Sequence, residues 1–328
     1  MDAYVALDDR LLVVTDVRAA PTASERLVGH DFECLDASSA RPDRVFAGTV
    51  ESGLQRSTDG GETWESVGEF EDRVTAVTVS PHDPDTVWAG TEPSAVYRST
   101  DGGETFEERE GLTNLPSADR WSFPPRPDTH HVRWLSVDPQ DPETLYVAIE
   151  AGAFVRTTDG GETWEPHPED ARLDNHTLAT HPGAPGRIYT AAGDGYAESE
   201  DGGATWFHPQ EGLEHRYVWG LAVDVQDPDQ VVVSAAHGAR SAHTPETAEA
   251  YVYRRTEGPW EPAMDGLPDP DGQVRAVLAQ GVEGDEFLAV TNRGLFRTED
   301  GALSWEPVGI EWPVEYDEQV GRGLAVVE

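Results

Sequence analysis

An eight-residue stretch that keeps returning constrains this chain more than anything else in it. Residues 57–64 read STDGGETW, 99–106 STDGGETF, 157–164 TTDGGETW and 199–206 SEDGGATW. Residues 298–305, TEDGALSW, are a weaker copy, and 255–260, RTEGPW, a decayed one. Repetition of this kind marks an array of one supersecondary unit. Asp-Gly-Gly supplies the positive φ angles of a tight turn, and the Asp carboxylate can accept backbone N–H groups across it. The Thr and the terminal Trp then start a returning strand and anchor it with a large apolar ring.

S-x-D-x-G-x-T-W resembles the Asp-box, or BNR, repeat of sialidases and many other β-propellers. The resemblance implies a fold more than a function. It implies that each box sits at the turn between the third and fourth strands of a blade, on the face away from the ligand site. The boxes are therefore expected to be structural. Two functional classes come with the resemblance. Propellers similar to photosystem assembly factors bind partners through an arginine-rich face. Sialidase-like hydrolases hold a substrate carboxylate with an arginine triad, but this chain has no Arg-Ile-Pro ahead of its first box.

Each repeat follows one plan: an apolar alternating strand, an Asp-Pro-rich turn, a second and third strand, the box, then a fourth strand. Period-two patterning with closely spaced Pro, Gly and Asp turns is the all-β signature. Asp59 to Asp101 spans the same length as Asp159 to Asp201, which sets the unit. Asp101 to Asp159 is longer by an insertion at 111–130, and Asp201 to Asp300 holds two units with an insertion at 237–250. That makes six blades. The ends supply a seventh: 320–327, VGRGLAVV, reads as a first strand, and 4–7, 11–15 and 26–29 as the three that follow. The expectation is one seven-bladed β-propeller domain over residues 1–328, closed by the C-terminal strand joining the N-terminal blade, which leaves no long sheet edge exposed.

The charge is extreme. Against 63 acidic residues stand 23 basic ones, a net charge of −40, and every basic residue is Arg. Such a surface repels itself until salt screens it, the pattern of a halophile's protein. It excludes nucleic acid as a partner, since phosphate contacts need a basic surface. The lone Cys34 excludes an intramolecular disulfide and reads as a core residue. No apolar run is long enough to span a bilayer, and the N-terminus lacks the pattern of a signal peptide. The expected setting is a cytoplasmic monomer.

The two insertions fall on the same face, opposite the boxes, which points to a site there. Aligning the first strands places Glu33, Thr75, Arg133, His176, Trp219, Arg275 and Arg322 at one height around the central channel. Beneath them Leu35, Val77, Leu135, Leu178, Leu221, Val277 and Leu324 form an apolar ring, read as a plug. Arginine's planar fork suits carboxylates, phosphates and sulfates. Alternatively the ring arginines pair internally with Glu33, Glu150 or Asp194. His30, His130, His131, His237 and His243 are placed near the same mouth, and the first insertion offers Trp121, Phe123 and Arg126. Imidazoles with Glu150 have the chemistry for a metal, but no ligand spacing marks one, and no metal or cofactor is assigned. The candidate ligand-binding set is Glu33, His131, Arg133, Glu150, His176, Trp219, His237, Arg275 and Arg322. The expected function is capture of an anionic small molecule, a carbohydrate or an acidic peptide. The alternatives are a glycosidase-like hydrolase or a metal-dependent lyase or hydrolase at the same mouth.

Overall fold

A computed structural model describes residues 1–328 and shows a ring of seven antiparallel sheets, a β-propeller. The inner strands of the first six blades are Phe32–Ser38, Arg73–Val79, Val132–Val137, Asn175–Thr180, Tyr217–Val223 and Val277–Gln280. The seventh blade is built from both ends of the chain. Gly323–Val327 is its inner strand and pairs antiparallel with Asp2–Ala6, from Asp2 opposite Val327 to Ala6 opposite Gly323.

Two details differ from the expectation. The outermost strand of this blade is Thr22–Arg26, not 26–29, paired from Leu11 opposite Arg26 to Thr15 opposite Thr22. An outer strand faces solvent, so the polar sequence TASER serves where an apolar one was expected. In blades 3 and 4 the fourth strand shrinks to a single bridge, Arg156 with Glu165 and Glu198 with Phe207.

The hydrophobic core is divided into the seven contacts between neighbouring blades. Strand side chains alternate between the two faces of a sheet, so every blade feeds two clusters. Tyr4 and Ala6 pack with Phe32 and Val45 of blade 1, whereas Ala3 and Val5 pack with Leu288 and Val290 of blade 6. Cys34 lies in the cluster between blades 1 and 2, and burial pushes its thiol pKa up, so it is an inert core residue.

The Asp-boxes close as the sequence implies. Asp59 accepts the backbone N–H of Thr63 at 2.8 Å and its hydroxyl at 2.6 Å, while Ser57 Oγ accepts the Gly61 N–H at 2.8 Å. Those Thr63 contacts hold the Asp59 carboxyl at about 2. Gly60 and Gly61 take φ of +71° and +86°. The copy at 298–305 closes the same way, Asp300 accepting the Ser304 N–H at 2.9 Å and its hydroxyl at 2.7 Å, with Ala302 at φ +62° in the second glycine's place. Two of the box tryptophans stitch blades together, Trp164 donating to Glu110 and Trp305 to Ala263 across a blade boundary at 3.1 and 3.0 Å, whereas Trp64 and Trp206 donate to Gly61 and Gly203 within their own boxes.

Candidate functional site

Opposite the boxes, a cavity of about 910 Å³ opens at the channel mouth. Both insertions line it. Phe123, Pro124, Pro125 and Arg126 come from the first, and Ala239, Arg240, His243 and Thr244 from the short helix and turn of the second. Trp121 is a core residue instead: it is 5 % exposed and packs with Leu112 and Ile149.

The ring owes its geometry to a feature that recurs in the inner strands. Pairing with the second strand shifts register between Phe32 and Cys34, Val74 and Ala76, Val132 and Trp134, Asn175 and Thr177, and Val218 and Leu221. The residues at these bulges are Glu33, Thr75, Arg133, His176 and, in blade 5, Trp219 with Gly220. A bulge inserts an unpaired residue and re-aims its side chain. In blades 6 and 7, Arg275 and Arg322 fall just before the paired strand begins.

Six of the nine candidate residues line the cavity: Glu33, His131, Arg133, Glu150, Trp219 and Arg322. Two lie behind it. Arg275 is 1 % exposed, with its guanidinium 4.5 Å from the Trp219 ring centre, and it donates to the Gly321 carbonyl at 2.6 Å and to His243 Nδ1 at 3.3 Å. His176 is fully buried against the other side of the site, its ring 4.2 Å from that of Trp219. The ninth, His237, is exposed and sits against His215, away from the cavity, with ring centres 4.3 Å apart. The sequence did not single out Arg73, Asp31, Asp8, Asp174 or Arg240, all of which line the mouth. Arg240 comes from the short helix of the second insertion, and the others from turns and strand starts whose position depends on how the ring closes.

The internal-pairing alternative holds for some groups. Glu33 takes Arg73 at 2.8 Å, Arg322 Nε takes Asp8 at 2.7 Å, and Arg126 grips Glu92 through two bonds of 2.6 and 2.5 Å. Asp194 pairs with Arg172 rather than with the ring. Arg133 differs. Its Nε lies 3.5 Å from Glu150, beyond a good hydrogen bond, its plane lies 4.8 Å from the Trp219 centre, and its side chain is 10 % exposed. Burial would raise the Glu150 carboxyl, but the His131 hydrogen bond at 3.0 Å and the nearby Arg133 charge hold it well below the usual carboxylate range. Burial and the like charges of Arg322 and Arg133 press against the positive charge of Arg275, whose buried Nη2 has no partner. Burial and Arg275 likewise keep His243 neutral, consistent with its accepting the Arg275 N–H.

Five arginines and five carboxylates line this mouth, in a chain with 23 of one and 63 of the other. Relative to its surroundings it is electropositive. Below it, Arg133 and Arg322 also roof a second space of about 310 Å³, walled by all seven residues of the apolar ring. The ring is therefore an open shaft and not a plug.

The BNR/Asp-box repeat model matches residues 55–66, the first box and its flanks. No curated protein matches the sequence significantly. Among solved structures, an ancestral GH74 enzyme superposes with a TM-score of 0.63 at 16% identity, covering 81% of this chain and 36% of its own. A GH74 enzyme of Niastella koreensis gives 0.65 at 16% identity, covering 97% and 55%. This chain thus spans only about a third to a half of those enzymes. YCF48 bound to D1 peptide gives 0.60 at 17% identity, covering 88% and 84%. At such identities the likeness establishes the fold. No helix is long and apolar enough to cross a membrane. The matched repeat falls on a turn whose hydrogen bonding recurs in five blades of the ring, so the chain is a seven-bladed β-propeller that carries Asp-box (BNR) repeats.

Proposed function

We propose that the channel mouth binds an anionic ligand, a carboxylated sugar or an acidic peptide segment, with its charged group on Arg133 and Arg322. The observation that carries this reading is Arg133. It is a largely buried guanidinium that makes no hydrogen bond to the protein, stacks on Trp219 and lines the cavity. A desolvated cation with free donors binds anions better than an exposed one. Tyr217, Trp219 and Phe123 provide apolar surface for the remainder of the ligand, and about 910 Å³ suits a small molecule or a few residues. The similar propellers support both ligand types, YCF48 having been solved with a peptide and the others being GH74 enzymes. The protein acts as a cytoplasmic monomer in concentrated salt on this reading.

Hydrolysis of a bound sugar is the second reading, favoured by the carboxylates in the same cavity. It requires two of them about 5–10 Å apart across the substrate.

The test is a thermal-shift screen of carboxylated sugars, phosphates and acidic peptides, with hits measured by calorimetry. Arg133→Ala is expected to lose about 1.5–3 kcal/mol of binding, roughly ten- to a hundredfold in affinity. Asp159→Ala removes the acceptor of the Thr163 N–H and hydroxyl on the far face. It should lower the thermal midpoint and leave that affinity unchanged. Equal binding by Arg133→Ala and the parent would refute the site.

A further inference from the structure

We infer that Glu150, Asp174 and His176 form a binding site for one divalent transition-metal ion in the wall of the mouth. The three residues each direct one ligand atom to a common point, and these atoms lie within 4.8 Å of one another. His176 Nε2 is 3.7 Å from Asp174 Oδ2 and 3.9 Å from Glu150 Oε1. Those distances are too long for hydrogen bonds.

The protonation of His176 follows from its other nitrogen. Nδ1 is 2.7 Å from the Val218 carbonyl oxygen, which can only accept, so Nδ1 carries the proton. In the neutral ring, Nε2 then presents a lone pair to two carboxylate oxygens. It is fully buried and has no hydrogen-bond partner. Three electron-rich atoms facing one another repel unless a cation joins them. A dication would neutralise the two carboxylates.

The surroundings hold each ligand by its other atom. Glu150 Oε2 accepts from His131 at 3.0 Å and lies 3.5 Å from Arg133, which leaves Oε1 toward His176. Asp174 Oδ1 accepts the Ala151 N–H at 3.0 Å, which leaves Oδ2. A Cβ on Gly193 would come within 1.9 Å of Asp174 Oδ2, so only glycine leaves the carboxylate this position. Anchoring the far atom of every ligand is how proteins orient metal ligands. A metal at about 2.0–2.2 Å from each donor spans at most about 4.4 Å, so closing the trio asks for shifts of a few tenths of an ångström. One imidazole and two carboxylates suit zinc, manganese or cobalt better than the all-oxygen preference of magnesium. Glu150 and Asp174 also line the cavity, which leaves the remaining coordination positions on the ligand side.

The inference is independent of the anion reading, because Arg133 titrations run in chelator test that reading alone. Here the protein is first dialysed against chelator. Cobalt and zinc are then titrated in 2 M KCl, where the acidic surface is screened. Binding is read by calorimetry and by cobalt absorption. One ion per chain is expected, with affinity falling at least about a hundredfold in Asp174→Asn and in His176→Gln. Gly193→Ala, which displaces the Asp174 carboxylate but removes no ligand, should weaken binding about tenfold or more. If His176→Gln does not fold, the other two variants decide. No stoichiometric binding by the parent, or equal binding by Asp174→Asn and Gly193→Ala, overturns the site.

Discussion

A chain ending at Arg322 is expected to lose cooperative unfolding and to aggregate. The removed residues, 323–328, include the strand that pairs with Asp2–Ala6 and closes the ring. Ala325 and Val327 are buried against blade 1, and Leu324 and Val326 pack toward blade 6. At about 0.8 kcal/mol per buried methylene, these four side chains contribute on the order of 5–8 kcal/mol. That is comparable to the whole stability of an ordinary domain, about 5–15 kcal/mol. The loss also uncovers the edge of Asp2–Ala6, and an uncovered edge templates pairing with another chain. Circular dichroism and light scattering during heating measure both effects. A soluble truncation with the parent's midpoint and cooperativity would mean that the ring does not depend on its tail.

Molar KCl is expected to raise the thermal midpoint by at least about 10 °C over 0.1 M. Two effects of salt oppose each other. It weakens surface ion pairs, such as Arg98 with Glu143 and Arg187 with Asp229, worth about 0–1 kcal/mol each. It also screens a net charge of −40 that no internal pairing can cancel. A sphere of this charge and size carries on the order of tens of kcal/mol of self-repulsion at 0.1 M salt, and roughly a third as much at 1 M. The unfolded chain relieves much of that repulsion, so screening favours the folded ring. For a chain of this length about 7 kcal/mol corresponds to about 10 °C. Chloride is the right anion for the test, since sulfate stabilises folded proteins by exclusion. A flat midpoint across this range would remove the halophilic reading.

The blade plan was legible because it is written in local chemistry. An Asp-Gly-Gly turn specifies its own geometry, and the spacing of its copies counts the blades. Closure was legible because the end strands each lacked a partner. The outer strand of the terminal blade was misplaced because it packs on little, so apolar content did not mark it. The ring at the mouth was legible as a set of equivalent positions, but not the bulges that aim it, since a bulge follows from how two strands meet. Burial was illegible too. Arg275 and His176 share the ring's register with Arg133 yet lie behind Trp219. His237 reads like a mouth residue and instead packs on His215. Asp174 gave no signal because it precedes its strand in a turn.

The central claim, an anion site on Arg133, is tested most directly with bromide. In a crystal grown from potassium bromide, anomalous scattering locates the halide without reference to any ligand. A bromide peak within about 3.5 Å of an Arg133 guanidinium nitrogen, in the mouth cavity and beside Trp219, is the predicted result. Bromide bound only elsewhere, with the Arg133 guanidinium closed onto the Glu150 carboxylate, would contradict it.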